Sequence, residues 1–401
     1  MDFQSIVFKY FTQGLKTNRD SWVISNEKQD LSTKIKYFEK VYSASLKSGI
    51  MNTEIQWTRK LNRLLDQKEK LVIESESYLK YVFRPFTKKW VYYSNQLNED
   101  LYQIDIVFNP KSGSIQNVIG ISGVPNSSDF HLLGTNELPD YHFLSDPQFL
   151  PLYRYASDGT REDNITDWGL AQFREHYASV IPRSKERTTK ESPDNKGIAS
   201  AEPRNDAQKE ITKEDIFHYT YGVLHNPAYR EKYALNLKRE FPRLPFYEDF
   251  WQWAKWGKQL MDLHIGYEEV EPYDLQRTDL PGFIPGSSKK EPKVPAQGRE
   301  PRPKLKADKE AGTILLDEQT SLHGIPPEAW EYKLGNRTAL EWILDQYKEK
   351  KPRDATIAEK FNTYRFADYK EQVIDLLKRV CTVSVETVKI VEEMKKIDKA
   401  R

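Results

Sequence analysis

Cysteine is almost missing from this chain: Cys381 is the single one in 401 residues. That excludes an intramolecular disulfide framework and any zinc site built on cysteine pairs, and it suits a reducing interior. Long apolar runs are missing too; none approaches the roughly 18 residues of a membrane span. The opening residues, MDFQSIVFKYF, lack a basic stretch and a small-residue cleavage site, so no signal peptide is expected. Charge of one sign is lacking as well. With a net charge of +1, no global field gathers a polyanion, and contact with phosphate must come from local basic patches. These absences lead us to expect a cytoplasmic protein with no membrane partner.

Several catalytic signatures are also absent. There is no G-x-x-x-x-G-K-[ST] phosphate loop, no glycine-rich strand-to-helix fingerprint, no G-x-S-x-G elbow and no H-E-x-x-H helix. The Asn-Pro-Pro-Tyr motif with which amino-methyltransferases hold a flipped base is missing, and Asn109-Pro110-Lys111 does not replace it. The seven histidines are scattered. His218 and His225 stand seven apart, not at the i, i+4 spacing of a metal pair, which favours capping or hydrogen-bonded core roles. An enzyme acting alone, and a metal site, are therefore not expected.

What is present is a soluble core former, 38% hydrophobic and 12% aromatic, with long polar segments. An apolar, strand-like run from Ile6 to Phe11 reads as the continuation of something preceding it. Helices are expected over Glu27–Leu46 and Thr53–Asp66, the second with Arg59, Lys60 and Arg63 in a basic stripe. From Leu71 to about Leu144 the runs LVIE, YLKYVF, KWVYYS, IDIVF and NVIGIS read as strands, followed by FLPLYRY. Further helices are expected over NITDWGLAQFREHYA, over 212–270, over AWEYKLGNRTALEWILDQYK and over Ala367–Lys396. Between 214 and 246 the residues spell a helical hairpin. Thr212 and Asp215 form a capping box, and Asn226-Pro227 stops one helix and starts the next. No internal repeat is found.

The expected class is α+β: a mixed or antiparallel sheet in the N-terminal half with flanking helices, then a mainly helical subdomain. The expected divisions are 1–70, a helical lead-in; 71–155, β-rich; 156–276, helical with a polar insertion at 182–210; 277–310, a linker; and 311–401, a strand and helix segment. Within this frame the basic and aromatic residues of RPFTKKWVYY, namely Arg84, Lys88, Lys89 and Tyr92, suit phosphate clamping and stacking. Asn336 and Arg337 have side chains suited to base edges, and Asn95, Lys111 and Arg154 complete the candidate DNA contacts. Sheet packing, solvated turns and helix capping explain the same residues, so local chemistry leaves the function open.

Several strings together carry more. LKTNRDSW, FRPFTKKWVYYS, Ile121–Gly123, PLYRY, NITDWGLAQFREHY, the 214–247 stretch, DLHIGYEEVEPY and AWEYKLGNRTALEWILDQY occur in one order from about Lys16 to Tyr347. In that order they resemble the C-terminal part of type ISP restriction-modification enzymes, single polypeptides that join a nuclease, a helicase-like motor, an adenine-N6 methyltransferase and a target-recognition region. The resemblance implies a DNA-specificity module for an asymmetric duplex site, one that presents the adenine to the methyltransferase and licenses motor and nuclease. It implies double-stranded DNA and those domains as partners. It also implies no cofactor in this chain, because S-adenosylmethionine, ATP and magnesium belong to the other domains. A fragment, a split subunit and a truncated product remain alternatives, as does a scaffolding subunit that docks a partner domain.

Overall fold

The computed structural model describes residues 6–99, 101, 103–110, 116–125, 129–156, 158–180, 210–279 and 301–399. The class is α+β, but strand pairing is spread over small antiparallel sheets instead of one. YLKYVFR and TKKWVY form a hairpin, Tyr78–Arg84 against Thr87–Tyr92, whose free edge takes the short strand Ile24–Ser25. Phe86 closes its turn at φ +56°. It accepts that left-handed backbone because its ring is buried edge-on against Tyr267, at 5.3 Å between centroids. A second sheet places Val118–Ile121 between Leu132–Thr135 and Gln148–Pro151, and all twelve residues are buried.

Some expectations fail for identifiable reasons. IDIVF is not a strand: Ile104–Val107 is a helical turn, entered through Gln103 at φ +55°, and it buries Ile104 and Val107 three apart. Its β-branched residues favour a strand only where a partner edge exists. LVIE and Ile6–Phe11 form no ladder; the latter pairs at the single bridge Phe8–Ile165 and is otherwise held by hydrogen bonds such as Lys9 N to Asn164 O. The helix expected from Thr53 begins at Arg59, where Thr58 Oγ1 accepts from Leu61 N. AWEYKLGNRTALEWILDQYK is not one helix. A 3-10 turn at Pro327–Trp330 leads into a tight hairpin, Lys333–Leu334 with Arg337–Thr338, around Gly335 at φ +68°. The helix Ala339–Gln346 starts only at the Thr338/Glu341 capping box. Both ends of the 277–310 linker are strands. Gln276–Asp279 and Pro303–Asp308 are the edges of a four-stranded sheet around Thr313–Asp317 and Thr320–His323. The later half is thus helix-rich but not purely helical. The insertion at 182–210 lies, but for its last residue, outside the described residues.

The hairpin of helices forms as its caps dictate. Lys213–His225 carries the complete Thr212/Asp215 capping box, and Asn226 accepts from Ala228 N with Pro227 at the first position of Pro227–Lys232. The second arm breaks at Tyr233 before Ala234–Leu237. Lys213–His225 is enclosed beyond its first turn, every residue from Ile216 to His225 being buried. Its close neighbour is Phe250–Ile265, and the two backbones meet at Gly222 and Gly257. A Cβ on Gly257 would lie 1.7 Å from the carbonyl oxygen of His218. The 34-residue helix Phe366–Lys399 spans both hydrophobic clusters of the core, with Val373 and Leu377 in one and Met394 in the other. Among the described residues no helix is long and apolar enough to cross a membrane.

Candidate nucleic-acid interface

Alternation along the 78–92 hairpin decides where the basic motif points. Neighbouring residues of a strand face opposite sides, so Lys88 and Lys89 part company. Lys88 Nζ bonds Glu137 (2.7 Å) and Glu268 (2.6 Å) and lies over the Tyr267 ring. Lys89 Nζ sits 4.4 Å from the centroid of Phe83, whose ring also carries the Arg84 guanidinium at 3.9 Å. Burial, with Arg84 and then Lys350 nearby, pushes the Lys89 ammonium down to about 8. Arg84 Nη1 is 2.7 Å from Oδ1 of Asp140, a carboxylate only 2% exposed. Tyr92 is fully buried, its hydroxyl accepting from Glu74 N (2.9 Å) and donating to Val72 O (3.3 Å). Tyr92 is therefore internal, and Arg84 and Lys88 are engaged in ion pairs with carboxylates of this chain.

The remaining candidates are spread out. Arg154 pairs with Glu162 and covers the Tyr10 ring at 4.6 Å. Arg337 reaches Asp345 at 3.5 Å and lies 5.0 Å over Trp342. Asn95, in a turn after the hairpin, and Asn336, in the turn beside Gly335, are exposed and make no side-chain contact among the described residues. Lys111 falls outside the described residues. The structure brings together Arg84 with Lys89, and Asn336 with Arg337; it does not gather the candidates into one surface.

The outer face of the hairpin supplies what was missed. Trp90 pairs across the ladder with Lys80 on one side and Ser25 on the other. Lys80 Nζ stands 5.1 Å from the Trp90 centroid; Lys28 Nζ stands 5.3 Å from it and 5.8 Å from that of Tyr78. Trp90 and Tyr78 are half-buried, both lysines are exposed, and neither lysine has an ion-pair partner among the described residues. Together with Glu27, Gln29, Ser32 and Ser75, the residues Lys28, Tyr78 and Trp90 line an open cleft of about 540 Å³. Two free ammonium groups over an aromatic face can hold phosphate and stack a sugar or base. Strand alternation puts Tyr78, Lys80 and Trp90 on one face, a signal present in the sequence. Lys28 arrives from the start of the Lys28–Ser48 helix, which only the tertiary fold brings there.

A family model, the type ISP C-terminal specificity domain, matches residues 6–376. A search of curated proteins found no match. Among solved structures, the chain is similar to the cryoEM structure of a DrdV–DNA complex, with 44% identity, 96% of this chain and 36% of that chain covered, and a TM-score of 0.82. A nuclease-deletion mutant of the type ISP enzyme LlaGI, in complex with a DNA substrate mimic, aligns at 28% identity over 97% of this chain and 33% of that one, with a TM-score of 0.72. LlaBIII, an ATP-dependent type ISP enzyme bound to DNA, aligns at 25% identity, 97% and 23% coverage, and a TM-score of 0.69. The chain thus spans between about a quarter and a third of the length of these relatives.

Proposed function

The chain belongs to the type ISP C-terminal specificity domain family, and on that premise we propose that it is the part of a restriction-modification system that selects the DNA site. It binds an asymmetric duplex sequence and positions the target adenine for an N6-methyltransferase. The observation that carries this reading is the end-to-end likeness to a protein solved on DNA, at 44% identity and a TM-score of 0.82. The side chains fit the division of labour such binding needs. Lys28, Lys80 and Trp90 are free to hold backbone, while Asn95 and Asn336, exposed on turns, have amides of the kind that read base edges.

Catalysis is assigned to the companion domains, together with S-adenosylmethionine, ATP and magnesium; this chain contributes recognition and docking. The first arm of the 214–246 hairpin is a packing unit and not a reading head, because every residue from Ile216 to His225 is buried. Selection from a random duplex library by the full chain, with the methyltransferase supplied, tests the function. Enrichment of one asymmetric motif is expected; recovery of an unenriched pool refutes the proposal.

A further inference from the structure

A second cleft, of about 510 Å³, lies between the loop Leu15–Ser21, Gln56, the turn at Asp140–His142 and Arg353–Asp354. The loop is tied on every side. Leu15 N donates to Pro139 O (2.8 Å), Tyr141 N to Leu15 O (2.9 Å) and Gln56 Nε2 to Asn18 O (2.8 Å). Lys34 Nζ donates to Ser21 O (2.8 Å), and Trp22 Nε1 to Asp354 Oδ2 (2.8 Å). So held, Asn18 keeps φ at +53°, a conformation that few residues other than glycine adopt, and its amide stays exposed.

The carboxylates of this cleft are all committed. Asp140 accepts from Arg84 and from His142 N, Asp354 accepts from Trp22 and caps Ala355–Lys360, and Asp20 accepts from Thr17. The cations are not. Lys16 only rests over the Tyr141 ring at 5.1 Å, and Arg353 is exposed with no partner among the described residues. Arg19, 1% exposed, donates Nη2 to Thr58 Oγ1 while Nε and Nη1 have no acceptor. Glu99, the carboxylate that acts on Arg19, leaves its own Oε2 unpaired. A guanidinium so placed has an incompletely met need for an anion, and its field reaches the cleft through a wall of low dielectric.

We propose that this cleft is an oxyanion site that seats a phosphodiester of the duplex backbone, with Arg19 as the charge at its floor and Lys16, Arg353 and the Asn18 amide as direct ligands. The proposal rests on the DNA-recognition reading and adds to it a specific anchor, one that fixes the register of the duplex without reading sequence.

The test compares the full chain with Lys16→Ala/Arg353→Ala on the selected duplex, between about 50 and 200 mM salt. Each phosphate contact removed lowers the slope of log K against log salt by about one. The double variant strips both free cations from that one phosphate and is therefore expected to lose about one in slope, with unchanged site preference and an unchanged unfolding midpoint. Asn18→Gly, which keeps the loop conformation, should weaken binding with no change in slope. Inorganic phosphate exchanged for chloride at constant ionic strength separates the sources of the anion. Indifference supports the DNA backbone as ligand, whereas competition with wild type that the double variant escapes supports the same site filled by free phosphate. A double variant with wild-type slope and affinity overturns the cleft while leaving DNA recognition standing. A wild-type chain that binds no duplex overturns both.

Discussion

Removing one oxygen atom tests whether the 214–246 unit is packing or recognition. Tyr221 Oη accepts from Gly134 N at 2.7 Å and meets His264 Nδ1 at 2.6 Å, while His264 Nε2 meets Thr387 Oγ1 at 2.9 Å. Thr387 Oγ1 donates in turn to Val383 O at 2.7 Å. That last bond makes Thr387 the acceptor for His264 Nε2–H, so Nδ1 is the bare nitrogen and Tyr221 donates to it. One hydroxyl therefore ties a strand and two helices to the long C-terminal helix. Tyr221→Phe keeps the ring contacts and leaves two buried groups, the Gly134 N–H and His264 Nδ1, without partners. Each such group costs about 1–3 kcal/mol, and the space vacated by one oxygen is too small for a replacement water. Some relaxation is expected, so the net loss should be about 2–4 kcal/mol. Urea unfolding followed by circular dichroism measures it as a lower midpoint at unchanged slope. A loss below about 0.5 kcal/mol, or weaker duplex binding at an unchanged midpoint, refutes the reasoning and returns this unit to the recognition surface.

Three further outcomes follow from the same geometry. Burial, and then Arg230, hold His264 down to about 3, and burial holds His225 well below the ordinary histidine range. Both stay neutral in the fold but take up protons in the unfolded chain below about pH 6.5. Their contribution to stability should thus be level above pH 7 and fall as pH drops, by up to about 1.4 kcal/mol per unit for each histidine. Urea midpoints at pH 7.5 and 5.5 should show this fall, and His264→Gln should reduce it; no difference between the two proteins in this pH dependence refutes the assignment. Arg84→Ala strands the buried Asp140 carboxylate and should cost about 3 kcal/mol, whereas Lys88→Ala, at a half-exposed pair, should cost under about 1 kcal/mol. Equal effects in thermal unfolding would contradict this. Gly257→Ala drives a methyl into His218 O, and the overpacking cost of roughly 1–3 kcal/mol should exceed the helix-propensity gain of at most about 1 kcal/mol. A stabilised variant would show that the two helices can part without loss.

Much of the local structure is legible in the sequence because its causes are local. The Thr212/Asp215 capping box, the Asn226-Pro227 boundary, the Lys28–Ser48 helix and the 78–92 hairpin follow from side chains within a turn or two of where they act. The family is legible for a different reason: long, ordered strings such as 214–247 are specific in themselves. Tertiary structure decided the rest. It made a helical turn of IDIVF, paired the two ends of the 277–310 segment into one sheet, and set Lys88 and Lys89 on opposite sides of a hairpin. It also turned Arg84 and Tyr92 from candidate DNA ligands into internal partners, and brought Lys28 to Trp90 from about sixty residues away in the chain. A cation has the same letter whether it faces a buried aspartate or open solvent. The difference lies in which distant segment packs beside it, and that is settled only when the core closes.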